Sequence, residues 1–192
     1  MDKCEWCGGD FDEFGMIIMS FAEDDPSHTI CRDCYNKFVA DMFGIENFRD
    51  YEKEVTFTDC DGIEHCFKIG KRIEPIGIHW EAAEFIDTNK IGYSFAVHQG
   101  LEEDPNDAIK RLYKKIRKGL SRKFIKREVV FGQEIVSFKG ETVEGRIGWD
   151  ENYDRIPKFI IDGKEYSLEE FGEMVMTFEG WNFKLKFTDP TD

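Results

Sequence analysis

The stretches CEWCGG (residues 4–9) and ICRDC (residues 30–34) each contain two cysteines separated by two residues. A Cys-x-x-Cys turn places two thiolates on one metal ion, and two such turns supply the four soft ligands that zinc prefers. A helical pattern begins at the second pair, and the positive end of a helix favours thiolate over thiol. The spacing therefore predicts one structural Zn²⁺ ion bound by Cys4, Cys7, Cys31 and Cys34.

Other uses of the two cysteine pairs stay open at the level of sequence. Similar pairs bind iron in rubredoxin-like sites, act as redox pairs, or are ordinary buried thiols. His28 and His65 are possible substitute ligands, although a surface or packed histidine is the more frequent role for each. Four thiolates would leave no open position for water, which argues against a catalytic zinc ion.

The residues between and after the cysteine pairs predict a hairpin and a helix. The apolar run MIIM (16–19) and the pair Thr29 and Ile30 flank the turn-like AEDDPSH (22–28). From Cys31 onward, apolar residues recur at helical spacing, and Gly44 is placed to cap the helix. The apolar residues are Tyr35, Phe38, Val39 and Met42.

This order of CxxCGG, hairpin and ICxxC opening a helix resembles a treble-clef zinc finger. Among treble clefs it is similar to the N-terminal zinc-binding domain of the ClpX unfoldase, in which the module mediates self-association and adaptor binding. The resemblance covers about the first 44 residues and implies a protein-binding role. It does not extend to the ATPase, because the later sequence has no GxxxxGK[ST] loop. GATA-like fingers share the pattern. The residues that carry it are Cys4, Cys7, Gly8, Ile30, Cys31 and Cys34.

The remainder of the 192-residue chain predicts an α+β domain. Its 41% hydrophobic content is enough for a packed core. We place a treble-clef zinc-binding module at residues 1–48, followed at 49–192 by a domain of antiparallel strands with two helices. No apolar run approaches the roughly 18 residues that span a membrane. The start lacks a signal-peptide pattern, so we expect a cytoplasmic protein, and we expect it to be bacterial.

A hairpin over residues 54–69 has a predictable register. A three-residue loop at 60–62 with left-handed Gly62 pairs Val55 with Phe67 and Phe57 with His65. This register places Cys60 at the turn and Cys66 on the face opposite Phe67, so the two cysteines do not form a joint site. Two further strands are predicted at 76–86 and 91–99, joined by the turn DTNK (87–90).

Two helices and a final strand are predicted in the second half. Asp104 caps the first helix, with Pro105 at its first position, and its apolar stripe is Ile109, Leu112, Tyr113, Ile116 and Leu120. Ser167 and Glu170 form a capping box for the second helix. We expect Leu168, Phe171, Val175 and Phe178 to face one side of that helix, and Trp181, Phe183, Leu185 and Phe187 to alternate along a closing strand.

Charge is segregated along the chain. The net charge is −14, yet residues 110–127 contain ten Lys or Arg and no acid. One interpretation is a basic amphipathic helix that contacts nucleic acid, an acidic partner or a membrane surface. The other is that these bases match the helix dipole and neutralise the acidic body. The candidate anion-binding residues are Lys110, Arg111, Lys114, Lys115, Arg117, Lys118, Arg122 and Lys123.

The stretch from residue 155 to 189 resembles the end of a family of uncharacterised bacterial proteins with a Cys-rich start. The resemblance is carried by Asp162-Gly163, Glu169-Glu170-Phe171-Gly172 and Phe178-Glu179-Gly180-Trp181, and it implies no known activity. A tight turn, a capped helix and a strand explain these residues as packing.

Enzymatic motifs are absent from the sequence: there is no GxGxxG after a strand, no HExxH and no GxSxG. We therefore expect a non-enzymatic binding or adaptor protein with a protein partner, which includes self-association. The first alternative is a nucleic-acid-binding regulator that uses the finger and residues 110–127. The second is an enzyme whose catalytic groups are dispersed in the larger domain.

Overall fold

The computed structural model describes residues 2–22, 25–46, 51–87, 90–150 and 155–192. Within these residues three α-helices accompany antiparallel strands in several sheets, so the prediction of an α+β protein is confirmed. The predicted module boundary after residue 48 lies outside the described residues. So do positions 23–24 and 88–89 of the two predicted turns.

The N-terminal part forms around the cysteine pairs. Two short hairpins precede one helix, and Ile30 and Cys4 are buried between them. The helix ends where Gly44 adopts a left-handed φ of 67°, as the sequence predicts. The elements are β1 (Asp2–Lys3), β2 (Asp10–Phe11), a 3-10 turn (Glu13–Gly15), β3 (Met16–Met19), β4 (His28–Cys31) and α1 (Arg32–Phe43).

A four-stranded antiparallel sheet and one helix form the largest core. The strands are β5 (Glu54–Thr58), β6 (Glu64–Glu74), β7 (Gly77–Asp87) and β8 (Lys90–Gln99), in that spatial order. Helix α2 (Pro105–Leu120) begins at the Asp104 cap and packs its apolar stripe on the sheet. The buried residues of this core are Phe67, Ile69, Ile78, Trp80, Ala82, Val97, Ala108, Leu112, Ile116 and Leu120.

The predicted register of the β5–β6 hairpin is confirmed. Val55 lies opposite Phe67 and Phe57 opposite His65. The N–H of Asp59 donates to the carbonyl of Ile63 at 2.9 Å, which leaves the three-residue loop 60–62 with Gly62 at a φ of 83°. Cys60 and Cys66 are both exposed, as expected for a turn and for the face opposite Phe67.

Helix α1 contacts the sheet through apolar packing of Val39 and Ala40 on Ile73 and through the hydrogen bonds of buried Asn36. The Nδ2 of Asn36 donates to the carbonyl of Lys71 at 2.6 Å, and its Oδ1 accepts from the N–H of Ile73 at 2.9 Å. Both backbone groups lie on β6 beyond the end of its pairing with β5. Asn36 therefore takes the place of a longer β5 as the hydrogen-bond partner of β6, and it holds α1 against the sheet.

The C-terminal part has a second core built on two small sheets and a helix. Strands β9 (Ile125–Val130) and β10 (Gln133–Phe138) form a hairpin. Strands β11 (Arg146–Trp149), β12 (Pro157–Ile161) and β13 (Lys164–Tyr166) form a three-stranded sheet. Helix α3 (Leu168–Val175) begins with the predicted Ser167–Glu170 capping box and continues into a 3-10 turn (Met176–Phe178). The buried residues of this core are Ile125, Phe138, Ile161, Tyr166 and Met174.

Three expectations about the second half are wrong. The predicted closing strand is absent, since residues 181–189 form no strand. The basic helix ends at Leu120, and Ile125 already begins β9. On α3 and the 3-10 turn, Phe171 and Phe178 pack against the second core as predicted. The expectation fails for Leu168 and Val175, which are exposed, and the buried residue of the helix is Met174.

Burial at α2 gives a direct test of this core. Leu112→Ala removes a side chain that is completely buried against the sheet, so we expect the free energy of unfolding to fall by about 2–5 kcal/mol. Leu101→Ala makes the same chemical change at an exposed position and should alter it by less than about 0.5 kcal/mol. Urea denaturation of both variants measures the difference, and equal effects would contradict this packing.

Candidate metal centre

Two tight turns position the four cysteine side chains. In the first, the N–H of Cys4 donates to the carbonyl of Gly9 at 2.9 Å, and the N–H of Gly8 donates to the carbonyl of Cys4 at 2.8 Å. In the second, Cys31 is the N-cap of α1, and its Sγ accepts from the N–H of Cys34 at 3.4 Å. Both turns aim backbone N–H groups at sulfur, an arrangement that stabilises thiolates.

The turns bring all four sulfurs together. Their Sγ atoms lie within 4.8 Å of one another, and those of Cys7 and Cys31 are 3.9 Å apart. With zinc–sulfur bonds of about 2.3 Å, the sulfurs of a tetrahedral site are about 3.8 Å apart. The four cysteines could therefore bind one metal ion, and a four-sulfur donor set suits a soft or borderline ion.

The pKa values of Cys4, Cys31 and Cys34 are shifted in different directions. Burial raises the pKa of Cys4, but hydrogen bonds from the backbone of Cys31, Cys7 and Trp6 outweigh it and lower that pKa to about 6. Burial raises the pKa of Cys31 and of Cys34, and the thiols of Cys4 and Cys7 raise both pKa values further. Deprotonation of Cys31 or Cys34 places negative charge beside the Cys4 thiolate, which costs free energy. A bound cation removes that penalty.

Neither histidine joins the cysteine cluster. The Nδ1 of His28 lies 2.8 Å from Oε2 of Glu5, and Glu5 also accepts from the N–H of Thr29. His65 lies between two carboxylates on the four-stranded sheet. Among the described residues the only group of three or more potential ligands close enough to share a metal is the four cysteines.

An aromatic cluster lies beside the two turns. The ring centroids of Trp6 and Phe38 are 5.6 Å apart, and those of Phe21 and Phe38 are 5.7 Å apart. Trp6 comes from the first Cys-x-x-Cys turn, Phe21 follows β3, and Phe38 lies on α1. Trp6 is 39% and Phe21 55% exposed. We call these three residues the aromatic patch.

Most candidate anion-binding residues contact groups of their own chain. The side chains of Lys114 and Lys118 have no ion-pair partner among the described residues. The other six are engaged as follows: Lys110 with Asp107, Arg111 with Glu103, Lys115 with the carbonyls of Ala96 and Pro190, Arg117 over the ring of Phe57, Arg122 with Glu144, and Lys123 with Asp59. Their binding of an anion stays a prediction.

Sequence reasoning missed a buried charged network. The Oδ2 of Asp59, whose side chain is fully buried, lies 2.7 Å from Nζ of Lys123 and 3.1 Å from Nε2 of His65. The Nδ1 of His65 is 2.6 Å from Oε1 of Glu84, and Lys123 also donates to the hydroxyl of Tyr93. Burial raises the pKa of Asp59, but Lys123 and further hydrogen-bond donors outweigh it and hold that pKa well below its usual range.

Three protein-family models match three successive segments of the chain. Family models cover residues 3–46, 49–121 and 124–192, and each is described as a domain of unknown function: DUF7685, DUF7686 and DUF7713 in that order. No curated protein and no solved structure matches the chain. No helix of the described residues is long and apolar enough to cross a membrane. The division into modules at 1–48 and 49–192 stays a prediction.

The buried network predicts a stability defect with a particular pH dependence. Asp59→Asn leaves the ammonium of Lys123 without its anionic partner, so we expect the free energy of unfolding at pH 7 to fall by about 3 kcal/mol. Because the pKa of Asp59 is depressed in the fold, its stabilisation is present above the unfolded pKa of about 3.9 and is lost as pH falls through the folded value. The gap between wild type and variant should therefore narrow in acid.

The control for this prediction is Asp61→Asn in the same turn, where the side chain is exposed. It should change the free energy of unfolding by less than about 0.5 kcal/mol. Urea denaturation at pH 7 and at pH 3 checks both variants. A gap for Asp59→Asn that is equal at both pH values would contradict the charged pairing.

Proposed function

We propose that this chain is a zinc-stabilised adaptor of the bacterial cytoplasm, and that its N-terminal module binds a protein partner. The single observation that carries the proposal is the aromatic patch, which is exposed beside the four cysteines. Exposed aromatic clusters are typical of protein interfaces, because aromatic side chains bury a large area at low entropic cost. The module is not an enzyme centre in this proposal, since four thiolates leave the metal no position for substrate.

Zinc is the ion we assign to the cysteines, in a treble-clef arrangement. A Cys-x-x-Cys turn between short strands, a hairpin, and a second pair at the start of a helix occur in that order. The donor set favours zinc or iron over hard cations. Zinc would neutralise the crowded thiolates and hold the turn that carries Trp6 against α1, so metal binding would shape the aromatic patch.

Charge supports a protein partner over nucleic acid. The chain has a net charge of −14, which repels a phosphate backbone on average. Six of the eight candidate cations on and after α2 already contact their own chain. The regulator alternative would therefore depend on Lys114 and Lys118 together with the finger, which is a small basic surface.

The enzyme alternative has less support. A cavity of about 530 Å³ lies between the N-terminal part and the sheet, but four of its charged side chains are paired with one another, Lys68 with Asp12 and Lys53 with Asp33. The buried Asp59 network does not line this cavity. Two groups that line the cavity have shifted pKa values, but Asp12 is paired with Lys68 and Cys31 belongs to the cysteine cluster, so neither is a free acid or base.

Metal analysis tests the centre itself. The purified protein should contain about one zinc ion per chain, because four cysteines form one tetrahedral site. Cys31→Ser should lose most of the metal, whereas Cys66→Ser, which changes an exposed cysteine on the sheet, should keep it. Iron in place of zinc, or equal metal content in the two variants, would contradict the assignment.

Partner capture tests the adaptor role. Full-length protein immobilised in extract of its source cells should retain a partner, which mass spectrometry identifies. Trp6→Ser/Phe21→Ser keeps all four cysteines but removes the exposed rings, so we expect at least about a tenfold loss of that partner with zinc content unchanged. Leu101→Ser changes an exposed apolar residue elsewhere and should retain the partner. Equal capture by all three proteins would contradict this role for the patch.

A further inference from the structure

The residues that follow α3 have the alternating pattern of a strand but do not belong to any sheet. We call residues 181–187, WNFKLKF, the C-terminal segment. Its alternate residues Trp181, Phe183, Leu185 and Phe187 are 61%, 90%, 67% and 70% exposed. Single exposed apolar residues are ordinary, but four at alternate positions would form one apolar face if the segment became a strand. The opposite face carries Asn182, Lys184 and Lys186.

One edge of the four-stranded sheet is closed to further strands. The outward carbonyl of Ala96 on β8 accepts from Nζ of Lys115 at 3.0 Å. The outward carbonyl of His98 accepts from Nη2 of Arg111 at 2.8 Å. Cationic side chains at a sheet edge block the addition of a strand. Strand β8 is therefore a poor place for the C-terminal segment to dock.

At the other edge of the sheet, no strand of the described residues lies beside β5. The carbonyl of Lys53 accepts from the N–H of Ile69, and the N–H of Asp59 donates to Ile63, so the odd-numbered residues of β5 bond to β6. The backbone groups of Glu54, Thr56 and Thr58 therefore point away from β6. No backbone hydrogen bond from another described segment reaches them.

The C-terminal segment fits this open edge in one antiparallel register. With Lys184 opposite Thr56, Phe183 lies opposite Phe57 and Leu185 opposite Val55. Phe57 and Val55 face the main core and are only partly buried, so the incoming side chains would cover them. The same register places Lys186 directly opposite Glu54, an oppositely charged cross-strand pair. Five residues, 182–186, match the five residues of β5.

The chain cannot place this segment on its own β5 while its end stays where the structure has it. The Nζ of Lys115 donates to the carbonyl of Pro190 at 3.0 Å and to that of Ala96, so Pro190 lies at the β8 edge. A strand beyond β5 is four strand spacings away from β8, about 19 Å. The four residues from Lys186 to Pro190 span at most about 14 Å.

We propose that residues 182–186 of one copy add as a fifth strand to β5 of a second copy. Reciprocal addition forms a two-fold dimer, in which each copy supplies one segment and one open edge. The backbone groups of Glu54, Thr56 and Thr58 gain partners, and the exposed apolar face of the C-terminal segment becomes buried. Both copies are acidic, and this like charge opposes association. The Lys186–Glu54 pair offsets part of that repulsion and also fixes the register.

A charge-exchange experiment on the full-length protein tests the register. Wild type should shift from monomer to dimer with rising concentration in sedimentation equilibrium. Lys186→Glu and Glu54→Lys each place like charges opposite one another twice per dimer, so each should weaken the dimer about tenfold. The double variant, Lys186→Glu with Glu54→Lys, restores the opposite charges and should recover most of that loss.

A backbone test removes a hydrogen bond without relying on charge. Lys184→Pro deletes an N–H that the register directs to Thr56, so the dimer should be lost. Lys184→Ala keeps that N–H and should leave most of the dimer. Both changes lie at an exposed position, and circular dichroism should match wild type. A wild type that is monomeric throughout, a double variant without recovery, or equal dimerisation of Lys184→Pro and Lys184→Ala would each overturn the proposal.

Discussion

The amide of Asn36 satisfies two backbone groups of β6 that no strand of the described residues reaches. The position of α1 depends on this contact together with the packing of Val39 and Ala40 on Ile73. Strand β6 has eleven residues and β5 has five, so β6 extends beyond its partner. Buried backbone groups without partners are costly. A helix side chain removes that cost only if α1 lies in one position, and the helix begins at the second cysteine pair. The position of the candidate metal centre relative to the sheet is fixed in this way.

The same need to satisfy polar groups explains the contacts that most of the candidate cations make within their own chain. The cations of α2 and the following residues meet sheet-edge carbonyls, acidic side chains and an aromatic ring of their own chain. Among these cations, Lys123 forms its ion pair with a buried carboxylate, that of Asp59. A cationic side chain that is already paired within its own chain binds a phosphate group less strongly. The number of cations counted along a sequence therefore exceeds the number available for binding.

Local rules allowed much of the fold to be predicted from the sequence. The Ser167–Glu170 capping box, the Asp104 cap and the β5–β6 register all follow from residues close together in the chain. The Asp59 network could not be predicted, since Lys123 lies 64 positions from its partner and no spacing rule joins them. The failure at residues 181–187 has another cause: alternation shows that a segment can be a strand, but the partner strand decides whether it is one.

The four cysteines were the easiest part of the site to predict, because two Cys-x-x-Cys pairs at this spacing are typical of metal sites. The surroundings of the cysteines could not be predicted from the sequence, because they depend on which part of the structure each face of α1 contacts. Cys31 and Cys34 face the metal centre, Asn36 bonds to β6, and Phe38 contacts Trp6 and Phe21. One helix of twelve residues thus joins the cysteines, the sheet and the aromatic patch. A change that alters the position of the cysteines would therefore also displace the exposed rings and the groups that contact the end of β6. The described N-terminal residues contain no second α-helix that would hold these groups in place.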